Sequence, residues 1–448
     1  MEAKFPKRPF RTSGGAHVPH RKNTWEKPSV NMPPVARVTL PMLQHIGAPC
    51  TPTVKKGDHV YVGQVVGDST AYVSAPIHAS ISGTVKDITT VMLTGGQYVD
   101  AVVIESDGKM EYDPELAAPP EVKTKEELFT AARNAGLVGL GGAGFPAHVK
   151  LNVPQDKQID TLIVNAAECE PYVTSDHREA LENGRNVLNG IYKIKEILDV
   201  KRVIIAVEDN KPDVIAKLTE IAEDPEKDPL DEVKVLALQS QYPQGAEKVL
   251  VKACTNRDVP QGKLPADVGC LVMNIASVSF LESYMRTGKP LTLKRVTIDG
   301  SAVVNPQNVI VPIGTPIAEV IAFCSGYKEE PEKIIMGGPM MGIAVTGDEL
   351  PIIKQNNAIL AFLPKDAEMM PTTACIRCGR CVSACPMKLM PTSLEKATEK
   401  KDLDKLRSLD ILTCMECGCC SFSCPAGRRL VQAIRLGKSY LRKAGEKK

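Results

Sequence analysis

The stretch Cys375-Ile376-Arg377-Cys378-Gly379-Arg380-Cys381-Val382-Ser383-Ala384-Cys385-Pro386 returns as Cys414-Met415-Glu416-Cys417-Gly418-Cys419-Cys420-Ser421-Phe422-Ser423-Cys424-Pro425. Each block reads C-x2-C-x2-C-x3-C-P. In two-cluster ferredoxins such a run gives three thiolates to one cubane and its fourth to the other. The pattern assigns Cys375, Cys378, Cys381 and Cys424 to one [4Fe-4S] cluster, and Cys414, Cys417, Cys420 and Cys385 to a second. Zinc also takes C-x2-C pairs, but a closed tetrahedral site has no use for a third cysteine at the same short step. A disulfide framework suits short secreted chains, whereas this one is long and carries no secretory signal. Cys419 stands between two ligands and is not expected to be one.

Working outward, 448 residues allow about three domains. Hydrophobic residues make up 43% and aromatics only 4%, so the core is expected to be aliphatic. A net charge of +2 lacks the basic excess of a nucleic-acid binder. The best apolar run, from Val268 to Tyr284, is broken by Asn274, Ser277, Ser279 and Glu282 and falls short of a membrane span. Thiolate ligation without a signal peptide points to a reducing cytoplasm.

The first 40 residues, rich in proline and basic side chains, read as an irregular arm. Next comes a glycine-punctuated β-rich stretch, with short strands expected at Val54–Asp58 and Val62–Val66. With Ala75-Pro76 and Ser82–Val85 it resembles the barrel-sandwich fold of biotinyl and lipoyl carriers. The turn that holds a carrier's lysine reads Pro76-Ile77-His78-Ala79-Ser80-Ile81 here, so the fold is kept and the carrier role rejected. After a joint at Ala117-Ala118-Pro119-Pro120 the period changes. Helices are expected at Glu127–Ala135, Glu179–Leu198 and Val214–Ala222, and strands at Thr161–Val164, Val200–Val207 and Val233–Leu238. That alternation implies a mostly parallel sheet covered on both faces. Strands at Leu293–Ile298, Val303-Val304 and Val309–Val311, a helix at Ile317–Cys324 and the turn Gly337–Gly342 suggest a small α+β scaffold.

Inside the α/β segment lies Gly136-Leu137-Val138-Gly139-Leu140-Gly141-Gly142-Ala143-Gly144-Phe145-Pro146. Its glycines let backbone N–H groups crowd toward an anion, yet the spacing fits neither G-x-G-x-x-G after a strand nor a P-loop. The following strand runs out into Asn165-Ala166-Ala167-Glu168-Cys169-Glu170-Pro171-Tyr172, at the end of a parallel strand where open α/β sheets bind ligands. The alternative for Glu168 and Glu170 is an acidic pair at a helix N-terminus.

The loop Gly141–Pro146 with Lys150, and the strand end Asn165–Pro171, are similar to the flavin and NADH site of the NADH-binding subunit of respiratory complex I. With Tyr242-Pro243-Gln244-Gly245-Ala246-Glu247-Lys248 and the cysteine tail, nearly the whole chain resembles the RnfC family, a component of the Rnf electron-transport complex. The resemblance implies a multidomain α/β protein: an arm and barrel-sandwich-like domain over 1–120, an FMN/NADH-binding α/β domain over 121–290, a small SLBB-like α+β module over 291–364, and a helical two-[4Fe-4S] ferredoxin-like domain over 365–448. It implies FMN in a pocket shaped by Gly141, Gly142, Ala143, Gly144 and Phe145, with Lys150 toward the flavin phosphate and Asn165 on the isoalloxazine. Glu168 and Glu170 would face the nicotinamide of NAD(H), and Gln244, Gly245, Ala246, Glu247 and Asn274 would close the pocket. The loop departs from the complex I version in lacking its arginine, with Gly139-Leu140 before Gly141, and in having Ala147 where threonine is usual.

A nicotinamide gives up two electrons as hydride and an iron–sulfur cluster takes one, so a flavin is the cofactor that joins them. The expected function is the NAD(H)-reacting part of a ferredoxin:NAD oxidoreductase coupled to Na+ or H+ transport. Its expected partners are membrane-embedded and other Rnf subunits and ferredoxin, and its expected place is peripheral, on the cytoplasmic face of the membrane. A cobalamin reductase of diol-utilisation microcompartments and an electron-wiring scaffold without nucleotide are the alternatives. The basic tail, from Arg428 and Arg429 through Arg435, Lys438, Arg442 and Lys443 to Glu446, Lys447 and Lys448, reads either as charge compensation for the clusters or as a docking surface.

Overall fold

Four parallel strands, Thr161–Ala166, Arg202–Glu208, Val233–Leu238 and Cys270–Asn274, form the sheet that positions the site in the computed structural model, which describes residues 5–119, 121–154, 156–223 and 232–445. Pro120 of the expected joint and Glu446, Lys447 and Lys448 of the basic tail lie outside the described residues. Val, Ile, Leu and Ala fill the interior of the two central strands, as burial on both faces requires, with Thr161, Asn165, Arg202 and Glu208 toward their ends. The spatial order places Thr161–Ala166 between Arg202–Glu208 and Cys270–Asn274. The chain therefore winds outward over three strands and then returns to the other side of the first. That reversal opens a crevice at the carboxyl ends of Thr161–Ala166 and Cys270–Asn274, the position at which such sheets bind ligands.

The expected single helix over 179–198 is two, Ser175–Glu182 and Gly184–Leu198. Asn183 leaves helical geometry at φ −121°, and a Cβ on Gly184 would sit 3.1 Å from Ile221, so the break lets the second helix lie close to its neighbour. The helix Lys125–Asn134 starts with a reciprocal cap, Thr124 accepting from the Glu127 N–H and Glu127 accepting from that of Thr124.

Two antiparallel sheets make the β-rich region: Arg37–Pro41, Tyr98–Ser106, Gly83–Met92 and His59–Val60 in one, Thr51–Pro52, Val65–Asp68 and Ile77–His78 in the other. Residues 54–58 form a turn rather than the expected strand, because Lys55-Lys56-Gly57-Asp58 is closed by the Asp58 carboxylate on the Lys55 N–H at 2.7 Å. The carrier-type turn at Pro76 is occupied by Lys354, which arrives from the α+β module and donates to the carbonyls of Pro76 (2.6 Å) and Gly136 (2.7 Å). Burial pushes its ammonium down to about 7.

The α+β module holds a six-stranded sheet ordered Val30–Asn31, Gln307–Pro312, Leu293–Asp299, Ala358–Phe362, Lys333–Met336, Ile343–Val345. Val303-Val304 makes one bridge to Tyr327 and bends away instead of forming a strand, since Asn305-Pro306 follows at once. The arm is irregular, as its composition suggests, but firmly tied. Val30–Asn31 completes this sheet, Ala16 bridges to Tyr242, and half-buried Lys22 donates to three carbonyls, those of Glu168, Glu170 and Val173.

The cysteine blocks end in short helices, Arg380–Ser383 and Cys419–Phe422, and are spaced by Pro391–Glu399 and Leu403–Ser408. The tail helix Leu430–Lys443 buries Leu430, Ile434 and Leu441 against them. Three cations of the tail are used internally: Arg428, just before the helix, pairs with Glu395 and Glu399, and Arg435 and Lys438 pair with Glu416. No described helix is long and apolar enough to cross a membrane.

Candidate functional site

The glycine loop sits on the crevice. It is pinned at its base by the Gly139 N–H to the Phe145 carbonyl (2.9 Å) and the Gly144 N–H to that of Gly139 (3.1 Å), while the Leu140 N–H donates to Ser277 Oγ (3.0 Å). The N–H groups of Gly141, Gly142 and Ala143 donate to no described residue, and all three residues are exposed. Gly141 lies so close to Asn274 that a Cβ would stand 2.7 Å from its Nδ2, and at Gly144 a Cβ would meet Gln355 at 2.2 Å. Gly142 differs: at φ +112° its missing Cβ points into open space, with only Asn357 Nδ2 at 3.8 Å. A loop with free donors and a side-chain-less face over the switch point fits a flat phosphorylated cofactor such as FMN.

Asn165 and Asn274 are register partners at the two strand ends. Asn165 Nδ2 donates to the Gly245 carbonyl (2.9 Å), drawing residues 242–247 over the crevice. Asn274 caps the helix Ile275–Thr287, accepting from the Ala276 and Ser277 N–H groups, and donates to Asp176 (2.6 Å). Lys150, half-buried, is ion-paired with Glu247. The structure thus gathers Gly141–Phe145, Lys150, Asn165, Gly245, Glu247 and Asn274 around one crevice.

Glu168 and Glu170 occupy the strand end with their carboxylates already engaged. Glu168, at φ +45°, accepts from the N–H groups of Asp176 (2.6 Å) and His177 (3.2 Å). It caps the helix Ser175–Glu182 in place of Thr174, whose hydroxyl is taken by Thr24 and Asn308. Glu170 accepts from the N–H groups of Met340 and Met341, both at 2.9 Å, and so ties the strand end to the turn Gly337–Gly342; burial raises its carboxyl above the ordinary range. Glu168→Gln is therefore expected to cost about 1 kcal/mol of stability and to leave flavin content and the KM for NADH near wild type. Denaturant melts and steady-state kinetics check this, and a large KM increase at unchanged stability would return the carboxylate to nicotinamide contact.

Several residues at the site were not named from the sequence. Lys22, pushed by burial down to about 8, holds the loop 168–173 from the arm. Lys294, buried, donates to the Leu140 carbonyl at 3.1 Å beneath the glycine loop, beside buried Asp176, whose carboxyl burial raises. Asn357 reaches the Gly141 carbonyl at 3.5 Å. All three reach partners far away in sequence, where local pattern carries no signal.

Of the cysteines, Cys385, Cys414, Cys417, Cys419 and Cys420 line one small cavity with Met387, Leu389 and Ile434. Cys381 lies close enough to Cys424 for their charges to interact, both beside Leu430 and Val431. Cys375 lies near Arg428, and Cys378 is exposed. Among the described residues no three His, Cys, Asp or Glu side chains converge on a point that would hold a single ion. Of the five at the cavity, Cys385, Cys414, Cys417 and Cys420 are the ones whose spacing suits a cubane. Cys419 stands beside the Cys417 thiol at the same cavity, and its own thiol donates to the Tyr242 carbonyl at 3.7 Å. Tyr242 in turn donates from its hydroxyl to the Cys417 carbonyl at 2.7 Å. Residues 242–245 therefore run from the second cysteine group to Asn165, and Tyr242, Cys169, Met340, Met415, Cys417 and Cys419 pack together between the two sites.

A flavin crevice and a double-cluster tail joined by one packed seam define a flavin and iron–sulfur electron-transfer protein. Family models match in the same order: the RnfC barrel sandwich hybrid domain over 10–109, the Nuo51 FMN-binding domain over 132–282, the SLBB domain over 295–344 and the 4Fe-4S dicluster domain over 374–428. The chain is 43% identical to the C component of the proton-translocating ferredoxin:NAD(+) oxidoreductase complex of Clostridium ljungdahlii, over 97% of its own length and 94% of the relative's. It is 41% identical to the corresponding component of the Na(+)-translocating complex from Acetobacterium woodii, over 95% and 96%. A chain of an NAD+-reducing [NiFe]-hydrogenase, crystallised in the H2-reduced state, shares the fold at TM-score 0.51 and 16% identity, covering 75% of this chain and 69% of that one. The chain belongs to the RnfC family, the C components of ion-translocating ferredoxin:NAD(+) oxidoreductase complexes.

Proposed function

We propose that this chain is the NAD(H)-reacting member of a membrane-bound ferredoxin:NAD oxidoreductase whose electron flow drives Na+ or H+ transport. It would work at the cytoplasmic face as a peripheral subunit, beside membrane-embedded subunits and in exchange with ferredoxin. The observation that carries the reading is the seam at residues 242–245, which joins the flavin crevice at Asn165 to the second cysteine group at Cys417. When bound, FMN supplies the exchange between a two-electron hydride and the single electrons that [4Fe-4S] clusters carry.

The chain's own residues supply binding, orientation and the exclusion of water. In this reading the free N–H groups of Gly141, Gly142 and Ala143, with Gly144 and Phe145, cradle the flavin. Lys150 turns from Glu247 to its phosphate, and Asn165, Gly245 and Asn274 close the ring pocket. Glu168 and Glu170 hold the strand end on the nicotinamide side through their anchored carboxylates, without contacting the nicotinamide themselves. The cysteines divide as Cys375, Cys378, Cys381 and Cys424, and Cys385, Cys414, Cys417 and Cys420. The domains run 1–120, 121–290, 291–364 and 365–448. Anaerobically purified protein is expected to contain about eight iron and about eight acid-labile sulfide per chain, with one FMN released on denaturation. Zinc in place of iron, or well-folded protein without flavin, would overturn the reading.

A further inference from the structure

A cleft of about 1040 Å³ opens beside the seam, lined by none of the glycine-loop residues. Its walls come from four separate parts of the chain: the arm (Phe10, Arg11), the loop on either side of Pro243 (Gln241, Gln244), the first cysteine block (Cys378, Arg380) and Ser423 of the second. The arm is fixed there by the Phe10 N–H to the Ala253 carbonyl (2.8 Å) and the Gly15 N–H to that of Ala384 (2.9 Å). Three observations make the cleft a site rather than a gap. Arg11 and Arg380 are exposed, neither has an ion-pair partner among the described residues, and no described lining residue is Asp or Glu. Gln244 is only 4% exposed, yet its carboxamide bonds to no described residue while it lines the cleft. The carboxamide reaches solvent only through the cleft, where it is free to meet a polar group brought from outside. Finally, the wall includes Cys378, an exposed residue that the proposed function makes a ligand of the first cluster.

Resting on that reading, we propose that this cleft receives an acidic surface segment of a partner protein that carries a one-electron centre, and so forms the chain's electron port at the first cluster. The unpaired guanidiniums of Arg11 and Arg380 take the segment's carboxylates, and Gln244 takes a main-chain group of the segment. Exposed Phe10 gives the charged cleft an apolar wall, as transient protein interfaces usually have. Transfer is balanced one for one: a single electron leaves the reduced cluster and a single electron reduces the partner's centre, with no proton moved.

The test uses the full-length holoprotein and two probes, a small acidic ferredoxin and basic cytochrome c. Binding to the oxidised holoprotein is measured by calorimetry at low and high salt. Electron transfer from dithionite-reduced protein is followed by stopped flow, so that failure of the NADH and flavin reading does not affect the outcome. The acidic probe is expected to bind with an affinity that falls steeply with salt. The double variant Arg11→Glu/Arg380→Glu is expected to weaken its binding and transfer at least about tenfold at low salt, about 1.4 kcal/mol, with iron content unchanged and cytochrome c not slowed. Gln244→Leu, which keeps both charges, is expected to weaken the acidic probe without changing the salt slope. Equal binding of the acidic probe by wild type and the charge-reversed protein would overturn the proposal. So would competition by millimolar inorganic pyrophosphate in wild type without any effect of the acidic probe, which would make the cleft a small-anion site.

Discussion

Protein carrying Cys417→Ser is expected to bleach its flavin with NADH as fast as wild type, yet to reduce an external one-electron acceptor protein no faster than flavin alone allows. Cys417 touches both halves of the electron path. It lines the cavity shared by Cys385, Cys414 and Cys420, and its carbonyl accepts the Tyr242 hydroxyl at 2.7 Å. In the proposed division of the cysteines, the second group is the one packed against the seam, and Cys378 of the first is exposed. Serine keeps the backbone and the Tyr242 contact but removes a soft thiolate, so the fold should survive while one cubane is lost. Anaerobic EPR after dithionite should show a single remaining cluster, and iron content should fall by about half. Replacing Cys378 instead should remove the first cluster and leave the second reducible. A Cys417→Ser protein with full transfer to the acceptor would take the second cluster off the path.

The second large effect concerns Gly142. At φ +112° a valine costs about 1–3 kcal/mol of backbone strain, and its branched side chain would project into the open space over the crevice. Strain alone predicts FMN binding weakened on the order of tenfold to a hundredfold, and occupation of the cofactor's space should remove it altogether. Gly139→Ala is the control. It needs no positive φ, and its methyl would meet the Phe145 N at an ordinary 3.6 Å, so flavin content should hold. Flavin released on denaturation, measured by fluorescence, distinguishes the two variants. Equal flavin in both would move the cofactor away from the loop.

The cysteine spacing and the glycine loop were legible because both are local. Each block keeps its four cysteines within a few helical turns of chain, and a loop that needs backbone donors advertises itself in glycine. The parallel sheet was legible from its alternating elements, and Val233–Leu238 falls where its apolar run predicts. The break at Asn183-Gly184 was lost because Ala180, Val187, Ile191 and Ile194 sustain an apolar helical pattern across it, although Asn-Gly is itself a turn signal. The anchors were not legible at all. Lys22 holds a loop about 150 residues away, Lys354 fills the empty carrier turn, and Asn357 reaches the glycine loop from a different part of the chain. A lone lysine or asparagine carries no local sign of which distant carbonyl it will meet. For Glu168 the sequence offered two roles, and the hydrogen bonds it accepts from Asp176 and His177 favour the helix N-terminus.

Hydride is held to enter at the crevice and to leave the chain as single electrons through the cysteine tail. The most direct test is an anaerobic NADH titration of the full-length holoprotein, followed at the flavin absorbance band and by EPR. Flavin bleaching is expected on addition of NADH, followed by reduced-cluster signals that Cys417→Ser diminishes and Gly142→Val abolishes. Protein with full iron and flavin, whose clusters dithionite reduces but whose flavin and clusters both ignore NADH, would contradict this electron path.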